Sequence, residues 1–138
     1  MKAFDSDILT HLLLGDPLFL VKAARIPAGE QGVPIVALEE VLRGRLHAIR
    51  QAQAGKSNLS IDEAYRRFER TIVGIQFLTI LSHTAKAETL MQSWRKQKIK
   101  VGISDLRIAA ICVVNSATLI SRNRRDFDQV PGLMVEYW

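Results

Sequence analysis

The chain has 138 residues, 48% hydrophobic and 24% charged, which is the size and composition of one globular domain able to fold without disulfides or a structural metal. Nineteen Lys plus Arg against fourteen Asp plus Glu give a net charge of +5, a surface that attracts phosphate polymers or acidic proteins without choosing between them. The longest apolar run, Ile108 to Val114, is far short of the roughly 20 residues of a membrane span. Acids at Asp5 and Asp7 break the place where a secretory signal keeps its apolar stretch, and the single cysteine, Cys112, has no internal partner. The expectation is one domain over residues 1–138, cytoplasmic and without a membrane segment.

Lys2 to Phe4 is a short, partly apolar run cut off at Asp5, which predicts a strand, and the leucine-rich segment Ile8 to Leu14 behind it has helical character. Gly15 stops that helix and Asp16-Pro17 starts another, with Leu18, Val21 and Ala24 as its inward stripe. Gly32 to Val36 predicts a second strand, and the helix from near Leu38 carries Val41, Leu42, Leu46 and Ile49 at helical spacing. Ala54 to Ser60 is a loop. Ser60-Ile61-Asp62-Glu63 has the form of a capping box, with Ser60 accepting a backbone N–H and Glu63 reaching back. The helix behind it repeats Tyr65, Phe68 and Ile72 on one face.

A third strand is predicted near Ile80 to Leu81, followed by a helix capped by Thr84 that runs through Leu90, Met91 and Trp94. Ser104 is read as the cap of a helix that is apolar on nearly every side from Ile108 to Val114, hence buried. Thr118 to Ile120 and Leu133 to Glu136 supply the fourth and fifth strands. Strands alternating with helices imply a three-layer α/β/α domain around a central, mostly parallel sheet of four to five strands. Ligands of such folds bind beyond the carboxyl ends of the strands.

Acids gather at those ends. Asp5 and Asp7 follow the first strand, Glu39 and Glu40 the second, and Asp126 and Asp128 the Thr118 strand, while Asp105 opens the buried helix. Taken singly, each reads as a cap or a favourable partner of a helix dipole. Taken together, converging carboxylates repel and raise one another's pKa, a state that a divalent cation relieves. All-oxygen ligation points to Mg²⁺ or Mn²⁺ rather than zinc. His11, His47 and His83 share no ligand spacing and read as structural or solvated, and Cys112 in its apolar helix reads as core. No glycine-rich phosphate loop is present.

Four strings in order carry a resemblance: Phe4-Asp5-Ser6-Asp7, Glu40-Val41-Leu42-Arg43-Gly44, Gly102-Ile103-Ser104-Asp105-Leu106-Arg107, and Thr118-Leu119-Ile120-Ser121-Arg122-Asn123-Arg124-Arg125-Asp126-Phe127. They resemble the PIN-domain ribonuclease toxins of the VapC type. The resemblance implies a PIN-like domain and a Mg²⁺- or Mn²⁺-dependent endoribonuclease that hydrolyses RNA phosphodiesters. It also implies a homodimer, neutralised by a VapB-type antitoxin. By the family pattern Asp5, Glu40, Asp105 and Asp126 are both the metal ligands and the catalytic residues. Asn123 and Asp128 compete with Asp126 for the fourth place. Ser6 is read as a cap or orienting group for Asp5, and Ser121 stands where a threonine is frequent. Asp7 is an added carboxylate of undefined role, and Glu39 either supports the site from outside or is solvated.

Arg43, Arg107, Arg122 and Arg124 are candidate phosphate contacts. Two alternatives compete: a PIN-like RNA- or protein-binding module without catalysis, and a phosphoacceptor receiver domain. The latter needs an isolated Asp after a central strand and a late lysine, where this chain has Ser82, His83 and no lysine after Ile120.

Overall fold

The computed structural model describes residues 1–138. Strand β1 (Lys2–Phe4) is followed by helices α1 (Ser6–Leu13) and α2 (Pro17–Ala23), then β2 (Gln31–Pro34), α3 (Ile35–Gln53) and α4 (Ile61–Ile75). Next come β3 (Thr79–Leu81), α5 (Ala85–Lys96), α6 (Ile103–Val114), β4 (Thr118–Ser121), the single-turn α7 (Arg124–Phe127) and β5 (Met134–Tyr137). The five strands form one sheet in the order β3-β2-β1-β4-β5, and every pairing is parallel.

In a strand, successive side chains point to opposite faces. Ala3 and Phe4 of β1, and Leu119 and Ile120 of β4, are all fully buried, so both faces of the sheet centre are covered, as parallel sheets require. Helix α6 supplies much of that cover. Ile108, Ala109, Ala110, Ile111 and Cys112 are buried in succession, the all-round burial that its unbroken apolar run predicts. A fully buried isoleucine such as Ile108 or Ile111 contributes about 1.5–3 kcal/mol.

The chain leaves β1 toward β2 and β3 on one side and returns to β4 and β5 on the other. The order therefore reverses between β1 and β4, where doubly wound sheets open a ligand crevice. Register sharpens this: Phe4 pairs with Ile120, so Asp5 and Ser121 are the next residues on adjacent strands. The receiver reading falls here, because that fold sets β1 between β2 and β3, whereas this β1 lies between β2 and β4.

Several local expectations need correction. Helix α2 buries Phe19 and Ala23 and leaves Leu18 and Val21 exposed. Helix α4 buries Ala64 and Thr71, with Tyr65 and Ile72 outward. Small residues win there because α4 lies close to its neighbours: a side chain on Gly74 would collide with Leu13 of α1. Only half of the capping box forms, since Ser60 accepts from Glu63 N at 3.3 Å while the Glu63 carboxylate turns to Arg66 at 2.9 Å. Gly15 does stop α1. Its φ of +77° permits the left-handed turn in which Asp16 N donates to His11 O.

Candidate active site

Asp5 sits at the end of β1, almost fully buried, and its carboxylate is held from two sides. Oδ1 accepts the N–H of Ile8 at 2.9 Å, capping α1, and Oδ2 accepts a short hydrogen bond from Ser121 Oγ. Ser121 in turn accepts the N–H of Asn123 at 2.9 Å. Cap and candidate ligand are thus the same residue, and an ionised carboxylate with about four lone-pair sites can serve as both. Ser121 fixes Asp5, whereas Ser6 is simply the first residue of α1. Burial pushes the Asp5 pKa up, against the pull of the Ile8 N–H and the Ser121 hydroxyl.

Glu40 does not follow β2 directly but lies in the second turn of α3, where its Oε1 accepts a short hydrogen bond from Ser104 Oγ of α6. Ser104 is therefore not the cap of α6, a position taken by Gly102. Asp105 is held differently. Burial, then Glu40, Asp126 and Asp5 in that order of effect, push its pKa up to about 6. Asn123 bridges the last pair: its Nδ2 donates to Asp126 Oδ2 at 2.9 Å and to Asp105 Oδ2 at 3.4 Å. Its Oδ1 accepts the N–H of Asp126 as the cap of α7, so the amide nitrogen, not the oxygen, faces the acids. Asp128 points away and accepts from Tyr137 Oη at 2.6 Å.

The structure thus brings Glu40, Asp126 and Asp5 close enough to act on Asp105 as neighbouring charges and engages Asp128 and Glu39 elsewhere, while Asp7 stands at the edge, acting on Asp5 but paired away. Asp7 forms a forked ion pair with Arg122 at 2.6 and 3.1 Å, and exposed Glu39 pairs with Arg43 at 2.9 Å. Arg107 is forked onto Glu88 at 3.0 and 3.1 Å, and Arg124 lies over the Tyr137 ring at 4.1 Å. The arginines expected to hold phosphates are accordingly engaged within the chain. The histidines stand apart: His11 stacks on Phe19, His47 is exposed, and His83 bonds Glu88. Cys112 is core, its thiol pushed up to about 12 by burial.

None of the four clustered acids forms an ion pair with Lys, Arg or His. As they stand, no three are drawn tightly enough to chelate an ion. Their donor chemistry nevertheless fits a hard divalent cation, being oxygen-only and in direct ion pairs with no cation of the chain; Arg122, forked onto Asp7, acts on Asp5 only from a distance.

The raised pKa of Asp105 has a consequence for stability. Its folded-state value of about 6 exceeds the ordinary 3.8, so the folded protein holds this proton more tightly than the unfolded chain does. The contribution is present below about pH 4 and is lost as pH rises through about 6. Without divalent metal, the wild-type melting temperature should fall by a few degrees between about pH 4.5 and 7.5. This corresponds to a cost on the order of 1–2 kcal/mol after solvent screening. Asp105→Asn should flatten that slope; an identical slope in both proteins would contradict the crowding of charge.

A doubly wound parallel sheet with an acidic centre at its switch point defines the structural class. The chain belongs to the PIN domain family, whose model matches residues 2–133. Among solved structures it is similar to a toxin-antitoxin complex from Klebsiella pneumoniae at 21% identity, over 97% of this chain and 96% of that one, with a TM-score of 0.72. DNA-bound VapBC from Salmonella typhimurium shares 17% identity over 99% and 97%, with a TM-score of 0.78. FitAcB from Neisseria gonorrhoeae shares 14% over 98% and 96%, with a TM-score of 0.79. No curated protein matches the chain. At these identities the likeness establishes the fold, and no helix is long and apolar enough to cross a membrane.

Proposed function

We propose that this chain is a VapC-type toxin: a cytoplasmic, homodimeric, metal-dependent endoribonuclease restrained by a VapB-type antitoxin. The observation that carries the reading is the group of four carboxylates at the switch point, from Asp5, Glu40, Asp105 and Asp126, with no cation of the chain paired to them. These residues would hold Mg²⁺ or Mn²⁺. When bound, such an ion supplies Lewis acidity, making water a better nucleophile near neutral pH and offsetting charge that develops on phosphoryl oxygens.

The chain's own task is orientation. Ser121 and the Ile8 N–H hold Asp5, Ser104 holds Glu40, and Asn123 spans Asp105 and Asp126. Each acid therefore keeps a fixed direction, with lone pairs left for a ligand. The net charge of +5 favours a polyanionic substrate. A protein partner is supported by a groove of about 380 Å³ between α1 and α4, lined in part by Leu12, Leu13 and Val73. Leu18, Val21 and Phe77 also present apolar surface to solvent.

The test is incubation of the purified chain with mixed cellular RNA. Cleavage should appear with Mg²⁺ or Mn²⁺ and vanish with chelator. Intact RNA under both conditions, from folded protein, would leave a PIN domain that binds without cutting.

A further inference from the structure

Three arginines near the acids are spent on carboxylates: Arg43 on Glu39, Arg107 on Glu88 and Arg122 on Asp7. Arg45 differs. It is half-buried on α3 and forms no ion pair. Its Nε donates to Thr71 Oγ1 of α4 at 3.1 Å, and fully buried Thr71 passes its own proton to the Arg67 carbonyl at 2.9 Å. The guanidinium is thereby held at one nitrogen, with its terminal N–H groups left over.

Arg67, close enough to act on Arg45 as a like charge, has its own carboxylate partner, Glu63, 3.5 Å from its Nε. Arg45 is thus the member of this pair whose half-buried charge has no carboxylate partner, a costly arrangement unless something else satisfies it. Arg45 lines a cavity of about 370 Å³ whose walls also include Ser6, Gly44 and Glu40. Glu40 belongs to the acidic centre, so this cavity connects the free guanidinium to the candidate site. Asp7 lies on the same wall but is already forked onto Arg122. The Ser6 side chain is partly exposed, which leaves a hydroxyl donor beside the guanidinium fork.

We propose that Arg45, together with Ser6, seats a phosphodiester of single-stranded RNA beside the one to be cut, setting the register of the strand on the acidic centre. The proposal rests on RNA being the substrate. A guanidinium fork matches two oxygens of a phosphate. A diester carries a single charge, and one delivered by a polymer tolerates Glu40 nearby better than a free phosphate dianion would.

The test is binding of a labelled single-stranded RNA oligonucleotide by the full chain in chelator, so that cleavage does not intervene. Arg45→Gln should weaken binding by about tenfold and make the logarithmic salt slope shallower by about 0.7, the share of one phosphate contact. Arg45→Lys should keep the slope while losing part of the affinity. Gly44→Leu offers a second route that leaves Arg45 in place. An added Cβ there meets nothing within 4 Å, so the helix should fold while the larger side chain occupies the cavity and weakens binding.

Lys56→Gln is the control, because α3 rises about 1.5 Å per residue and carries its far end about 20 Å from Glu40. It should leave binding unchanged. Wild-type affinity and slope in both Arg45→Gln and Gly44→Leu would overturn the site. The two readings fail separately. Arg45-dependent binding by a chain that cuts no RNA with Mg²⁺ would remove the nuclease and keep the phosphate seat. Cleavage with an unchanged KM in Arg45→Gln would do the reverse.

Discussion

Asp5→Asn should lower metal-dependent RNA cleavage by more than 100-fold while leaving the fold in place. Asparagine is as good a helix cap as aspartate, so its amide oxygen can still accept the Ile8 N–H that Asp5 Oδ1 accepts now at 2.9 Å. Its amide nitrogen can donate to Ser121 Oγ, which today donates to Asp5 Oδ2. What disappears is a full negative charge at the junction of β1 and β4. Loss of a group that merely supports a metal ligand costs 10 to 100-fold, and loss of a ligand should exceed that range. Circular dichroism and melting separate the two effects. A folded Asp5→Asn protein that cuts RNA within tenfold of wild type would exclude Asp5 from the centre.

The α7 turn should give the second large effect and divide three neighbouring residues. Asp126→Ala should abolish cleavage by a similar factor, since the Asp126 carboxylate faces Asn123 and contributes to the raised pKa of Asp105. Asn123→Ala should fall in the 10 to 100-fold range. It removes the donor that spans Asp105 and Asp126 and also the cap of α7, with a stability cost of about 0.5–2 kcal/mol. Asp128→Ala should stay near wild type, because its carboxylate lies past the buried anchor Phe127 and serves only Tyr137. A dead Asp128→Ala beside an active Asp126→Ala would reverse the placement of this loop.

The features legible in the sequence were those with one dominant local cause. Helix α6 declares itself by an apolar run with no polar face, and α1 ends at Gly15 because the turn there needs a positive φ. The rule that α/β sheets build sites at strand ends picked out seven acids, Asp5, Asp7, Glu39, Glu40, Asp105, Asp126 and Asp128, and only the family resemblance narrowed them to Asp5, Glu40, Asp105 and Asp126. Where several local solutions were nearly equal, the sequence was silent. In α2, Pro-Leu-Phe-Leu-Val-Lys-Ala is apolar almost throughout, so nothing local sets its rotation. Phe19 turns inward because His11 and Trp138 meet it there.

In α4 the inward face is chosen by close helix packing, which takes Ala64 and Thr71 over the larger Tyr65 and Ile72. Ser104 has the local look of a cap, yet the cap is Gly102, two residues earlier, which frees the Ser104 hydroxyl for Glu40, 64 positions away. The pairings of Arg107 and Arg122 were equally invisible, because Glu88 and Asp7 lie 19 and 115 positions away and are brought in by the fold, whereas the Glu39–Arg43 pair is an i,i+4 spacing open to the sequence. Arg45 gave no sequence signal beyond its charge; its hydrogen bond to Thr71 and its place on the cavity wall with Glu40 exist only in the fold.

The central claim is that Asp5, Glu40, Asp105 and Asp126 form one cation site. Calorimetric titration of Mn²⁺ into metal-free protein tests it most directly, without reliance on activity. Saturable binding is expected in the wild type, weakened more than tenfold in Asp105→Asn and unchanged in Glu39→Gln, whose carboxylate is exposed and already paired with Arg43. Superimposable isotherms for wild type and Asp105→Asn would contradict the site.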